Sequence, residues 1–208
     1  MHDDTLLFHP SCRFSDIFLT KGVRPTDRSK PKTGEDDRMK PLLAALLLFA
    51  PFAPAAEPIR NPLIDYSCFR EIAAEVQPVR EKHRVTEEQF ATMAAESGTI
   101  VLDARSADKY ALRHIRGAVS LPFTDFTAES LAQVIPRKDT RILIYCNNNF
   151  LGAPVSLAGK GAPASLNIST YIALATYGYT NIYELGPLLN VATTKLQFDG
   201  TEMRASRR

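Results

Sequence analysis

Cys146 is the residue whose setting most suggests chemistry. It ends the run Arg141-Ile142-Leu143-Ile144-Tyr145-Cys146 and is followed by Asn147-Asn148-Asn149. A thiol there can act as a nucleophile, and α/β folds gather reactive groups where buried strands stop and loops converge. The competing reading is an inert cysteine packed as a small hydrophobe, and the run alone does not separate the two. Asn147, Asn148 and Asn149 offer side-chain and backbone donors to such a sulfur, or merely satisfy a turn. From residue 142 to residue 183 there is no Asp or Glu, and Lys160 is the single cation. Its head either swings to the thiol or stays solvated, as lone loop lysines usually do. Three cysteines (Cys12, Cys68, Cys146) and four histidines (His2, His9, His83, His114) lie at no ligand spacing, so neither a metal site nor another cofactor is expected.

The elements that must position Cys146 are legible around it. The apolar, β-branched run before the cysteine reads as a buried strand, and the asparagines, which tolerate left-handed backbone, as the loop that stops it. Thr99-Ile100-Val101-Leu102-Asp103 and Asn181-Ile182-Tyr183-Glu184-Leu185 read as further strands. Thr86-Glu87-Glu88-Gln89 is a capping box opening a helix that Gly98 is expected to end. Helices are also expected over residues 123–135 and 165–177, with Gly178 closing the second, and two or three turns over residues 67–76 before Pro78. Strands alternating with helices at these intervals predict an α/β fold: one mostly parallel central sheet with helices on both faces, in a single domain. With 208 residues, 45% hydrophobic and 23% charged, the chain holds one such domain plus extra segments. The net charge of +2 gives no electrostatic argument for nucleic acid.

The amino-terminal part has a different character. Met39-Lys40 is followed by Pro41, the run Leu42-Leu43-Ala44-Ala45-Leu46-Leu47-Leu48-Phe49, and Ala53-Pro54-Ala55-Ala56. A positive start, a short apolar core and small residues at the end form the pattern of a secretory signal peptide over residues 39–56. A bilayer span of about 20 residues needs far more apolar length, and Pro51 and Pro54 close the run, so no stable membrane insertion is expected once the signal is cleaved. Signal peptides begin at the initiator, which makes Met39 the expected start and residues 1–38 an upstream or disordered extension. The expected location is periplasmic or secreted, where Cys68 and Cys146 remain as the thiols. Residues 57–84 read as a leader packing on the domain, residues 85–200 as the domain, and residues 201–208 as a basic tail.

Several segments together resemble the rhodanese-like (sulfurtransferase) family. They are Val101-Leu102-Asp103-Ala104-Arg105, Tyr110, His114-Ile115-Arg116-Gly117-Ala118-Val119-Ser120-Leu121-Pro122, Ile142-Leu143-Ile144-Tyr145-Cys146, and Tyr177-Gly178-Tyr179-Thr180-Asn181-Ile182-Tyr183-Glu184-Leu185. They follow the family's order over about half of the mature chain. The resemblance implies that Cys146 is the nucleophile, attacking a small sulfane-sulfur donor and carrying the sulfur as a persulfide to an acceptor such as a protein thiol. Asp103, Arg105 and Arg116 then take supporting places, with an Asp103–Arg105 pair bracing the cysteine loop.

The chain departs from the family at that loop. A handful of residues normally separates the cysteine from an arginine that precedes the helix; here the loop runs from Asn147 to Ala164 and holds no arginine. Counting back from Gly178, the family's arginine and serine positions fall near Leu166 and Asn167. Two functions follow: an exported sulfurtransferase or persulfide carrier working through Cys146, or a catalytically silent rhodanese-like module whose long loop binds a small ligand or a protein. Cysteine phosphatase chemistry is weaker, because it needs an arginine to clamp the anion. A redox role for Cys68 with Cys146 stays open.

Overall fold

The computed structural model describes residue 59 and residues 61–205. The upstream segment 1–38, the signal-like segment 39–56 and the last three residues of the basic tail lie outside the described residues. The first described helix, α1 (Tyr66–Lys82), opens at Asp65, whose side chain accepts the Cys68 N–H at 2.9 Å. It is longer than the sequence predicts, running straight past Pro78. The proline removes one backbone bond, but Ile72 and Val76 are buried under the helix. Beyond the proline, Arg80 grips Glu184 with Nη2 at 2.8 Å and Nε at 2.6 Å from its carboxylate oxygens. Tertiary contact thus holds the turn that local propensity would end.

β1 (Arg84–Val85) leads into α2 (Glu87–Ala95), where the Thr86–Gln89 capping box is formed in both directions. The helix stops three residues short of Gly98, which turns the chain into β2 (Thr99–Asp103) with a φ of 81°. After α3 (Ala107–Leu112) come the short strands β3 (His114–Ile115) and β4 (Val119–Ser120). The helix expected over residues 123–135 is divided. A single 3₁₀ turn, Phe123–Asp125, precedes α4 (Ala128–Val134), because Thr127 and Ser130 exchange capping bonds and start the helix afresh.

β5 (Arg141–Tyr145) ends at Cys146, and β6 (Phe150–Leu151) follows in the loop. α5 (Leu166–Thr176), β7 (Ile182–Leu185), β8 (Leu189–Asn190), β9 (Phe198–Asp199) and α6 (Thr201–Ala205) complete the described chain. The main sheet has the order β1-β7-β5-β2-β4, and every pairing in it is parallel. β5 is central and alternates strictly. Ile142 and Ile144 join the core under α1, α4 and α5, while Leu143 and Tyr145 join Phe90, Phe150 and Phe198 on the other face. Small ladders β3-β9 (antiparallel) and β6-β8 (parallel) tie the carboxyl-terminal segment and the long loop to this second face. The single-domain α/β architecture matches the sequence expectation. The carboxyl-terminal part does more than expected: residues 201–205 are helical, and Leu196 and Phe198 are buried.

Candidate active site at the carboxyl end of the central strand

Cys146 leaves β5 in extended conformation and is 1% exposed. The three asparagines form a 3₁₀ turn directly after it, and this turn aims the Asn149 N–H at the Cys146 sulfur. The same N–H also reaches the Cys146 carbonyl at 3.2 Å. On the other side, Ser165 Oγ lies 3.5 Å from Sγ. A main-chain donor and a hydroxyl therefore converge on the sulfur.

The asparagine side chains are engaged elsewhere. Asn147 Nδ2 donates to the Ala158 carbonyl at 2.7 Å, while its buried Oδ1 has no partner. Asn148 exchanges two bonds with the main chain of Lys160. Asn149 Oδ1 accepts the Cys146 N–H at 2.9 Å and Asn167 Nδ2 at 3.0 Å, and its Nδ2 donates to the Leu185 carbonyl at 2.7 Å. These bonds fix the path of the loop, so only backbone from the asparagine turn faces the thiol. Lys160 does not reach Cys146. Its side chain borders a cleft of about 540 Å³ together with Arg105, Lys109, Asp125, Asn147 and Leu166. Cys146 is not part of the cleft wall; Asn147 stands between the cleft and the residue that precedes it.

Asp103 and Arg105 form a buried brace. Arg105 Nη2 and Nε lie 2.5 and 2.9 Å from the Asp103 carboxylate oxygens. Nη1 donates to the Ser156 carbonyl at 3.0 Å, and Nη2 also donates to the Arg113 carbonyl at 2.7 Å. Tyr145 Oη donates to Asp103 Oδ2 at 2.5 Å and accepts the Ile115 N–H at 3.0 Å. Burial works against the Arg105 charge, but the Asp103 carboxylate overrides it and holds the guanidinium above its ordinary value. Burial, and then Asp103, pushes the Tyr145 phenol well above its ordinary value. One network thus links the ends of β2 and β5 to the middle of the long loop.

Arg116 is elsewhere. It pairs with Asp199 at 3.3 Å on the surface and holds the β3-β9 corner rather than the cysteine loop. His114 stacks on Tyr110 at 3.8 Å and bonds its carbonyl through Nδ1. Cys68 and Cys146 are not disulfide-bonded to each other. The sequence reading missed Asn167, which is 2% exposed on α5, and Glu202 on α6. Glu202 Oε2 accepts Ser156 Oγ at 2.7 Å and Arg113 Nε at 3.1 Å, latching the long loop to the last described helix. Asn167 had one signal: it falls where counting back from Gly178 puts the family's serine.

A parallel sheet with a cysteine at the carboxyl end of its central strand, held in a turn of inward-facing main chain, defines a cysteine-centred α/β domain. Residues 86–185 match the model of the rhodanese-like domain, and the chain carries a domain of that family. Among solved structures the chain is similar to the Alr3790 protein from Anabaena sp., with 19% identity, 59% of this chain and 86% of that chain covered, and a TM-score of 0.40. It is also similar to the BH2092 protein from Bacillus halodurans, with 17% identity, coverage of 64% and 88%, and a TM-score of 0.43. A thiosulfate sulfurtransferase from Pseudomonas aeruginosa is 17% identical, with coverage of 64% and 23% and a TM-score of 0.37. No curated protein matches.

Proposed function

We propose that this protein is an exported sulfur carrier in which Cys146 accepts a sulfane sulfur and passes it to a thiol. The observation that carries the reading is the convergence of the Asn149 N–H and Ser165 Oγ on Cys146 Sγ at the end of β5. Such donors stabilise an anionic sulfur, whether the attacking thiolate or the terminal sulfur of a persulfide. In the first step the Cys146 thiolate attacks the outer sulfur of a donor such as thiosulfate. A new S–S bond forms, the donor's S–S bond breaks, and sulfite leaves with the electron pair. In the second step an acceptor thiolate attacks the outer sulfur and Cys146 leaves as thiolate, so no outside oxidant or reductant is consumed. Because the thiol is 1% exposed, a donor reaches it only through a local opening of the structure around it. The signal-like pattern after Met39 supports export.

A second reading, a silent binding module, is favoured by one observation: the cleft beside the loop is bounded without Cys146. Intact-mass measurement on purified protein incubated with thiosulfate or inorganic polysulfide decides between them. Addition of sulfur to the native protein but not to Cys146→Ala supports the carrier, and no Cys146-dependent addition from either donor favours the module. Export is tested separately, by the amino terminus of protein isolated from its native cell, which is expected near residue 56.

A further inference from the structure

We infer that Asn167 is a positioning residue for sulfur transfer, acting on Cys146 through Asn149; this rests on the carrier reading above. Asn167 sits in the first turn of α5 and is 2% exposed. Its Nδ2 donates to Asn149 Oδ1 at 3.0 Å, the same oxygen that accepts the Cys146 N–H at 2.9 Å. Asn149 Nδ2 is drawn the other way, to the Leu185 carbonyl at 2.7 Å at the end of β7. The Asn149 amide is thereby pinned from α5, β5 and β7 at once. That pinning keeps the Asn149 main-chain N–H directed at Sγ while the rest of the loop moves.

A second observation separates this role from simple packing. Asn167 Oδ1 is buried with no partner, so half of the amide is desolvated without return. An apolar residue of the same volume would fit the position with less penalty, and the polar group is explained by its bond to Asn149. Sites that give up stability for geometry are where function is sought. Asn167 and Asn149 do not border the cleft, so neither is placed to set donor affinity.

The test uses the whole chain and the apolar variant of the same branching, Asn167→Leu, with Asn149→Ala and the double variant. Removing the unpartnered oxygen keeps the melting temperature of Asn167→Leu at or above that of the native protein. Sulfur loading of Cys146 from thiosulfate slows about tenfold, with the half-saturating donor concentration unchanged. In the Asn149→Ala background the second substitution changes loading by less than about twofold, because both act through one amide. Loading at the native rate overturns the proposal, as does a joint fall in loading and melting temperature, or additive effects in the double variant. If the native protein loads no sulfur, the carrier reading fails. The rate of Cys146 alkylation by iodoacetamide then decides the positioning role alone: a change of about threefold or more in Asn167→Leu, absent in the Asn149→Ala background, supports it, and an unchanged rate overturns it.

Discussion

Asn148 and Lys160 exchange two hydrogen bonds, Nδ2 to the Lys160 carbonyl at 2.8 Å and the Lys160 N–H to Oδ1 at 3.0 Å. An asparagine side chain here does for the long loop what a neighbouring strand does in a sheet. The bonds use only the Lys160 main chain, so the ammonium can be removed without untying the loop.

That separation makes Lys160→Ala a clean probe of the cleft. If an anionic donor enters there, the half-saturating concentration of thiosulfate rises roughly threefold to fivefold, the scale of one exposed charge contact. Maximal loading and the urea midpoint stay near native values. Steady-state loading across a donor series, anionic against neutral, checks this; equal effects on both kinds of donor remove the charge argument.

The Asp103–Arg105–Tyr145 network predicts graded losses of stability. Tyr145→Phe strips the Ile115 N–H of its buried acceptor and is expected to lower stability by about 1–3 kcal/mol. Asp103→Ala leaves the nearly buried Arg105 without its counter-charge and is expected to lose about 3–5 kcal/mol. Urea unfolding of the two variants gives both values, and the second must exceed the first.

Stability is expected to fall in alkali. Burial raises the phenols of Tyr110, Tyr145, Tyr171 and Tyr179 above their ordinary value of 10.0. The unfolded chain therefore loses these protons before the folded one does. The contribution is fully present below pH 10.0 and is lost as the pH climbs through the raised folded values. Urea midpoints should be flat with respect to these groups up to that pH and decline beyond it. Phenolate absorbance should rise together with loss of far-ultraviolet dichroism.

Glu202 holds Ser156 and Arg113 together, so Glu202→Gln weakens the latch between α6 and the long loop. Iodoacetamide should then alkylate Cys146 several-fold faster than in the native protein, the loop opening costing about 1 kcal/mol less. Labelling followed by peptide mapping reads the Cys146 rate against Cys68 in the same sample. An unchanged Cys146 rate would show that opening begins elsewhere in the loop.

Much of the frame was legible because it depends on local pattern. The runs ending at Asp103, Tyr145 and Leu185 are apolar enough to be strands anywhere, and the Thr86–Gln89 box announces its own helix. The position of Cys146 followed from the strand it ends. Other features depend on distant partners. Pro78 reads as a helix stop until Arg80 is seen on Glu184. Asn167 is marked in the sequence only as the family's serine position, because its type says nothing of the buried amide across from it. The pairing of β3 with β9 joins two-residue strands far apart in sequence, too short to carry a period. The loop was recognised as unusual, and an Asp103–Arg105 brace was expected from the family resemblance, but the bonds that Glu202 and the asparagine side chains make to the loop are purely tertiary.

Gly200 carries a practical consequence. Its φ is 129°, and a Cβ there would lie 2.3 Å from the Leu112 carbonyl oxygen. This tight crossing lets the chain pass over the end of α3 and deliver Glu202 to the loop. A purification tag fused behind Arg208 would be separated from Glu202 by six residues, tugging on the only helix that grips the loop from the carboxyl side among the described residues. Thiol reactivity measured on such a fusion would report the handle as much as the protein, so assays of Cys146 are best run on material tagged at the other end or with the tag removed.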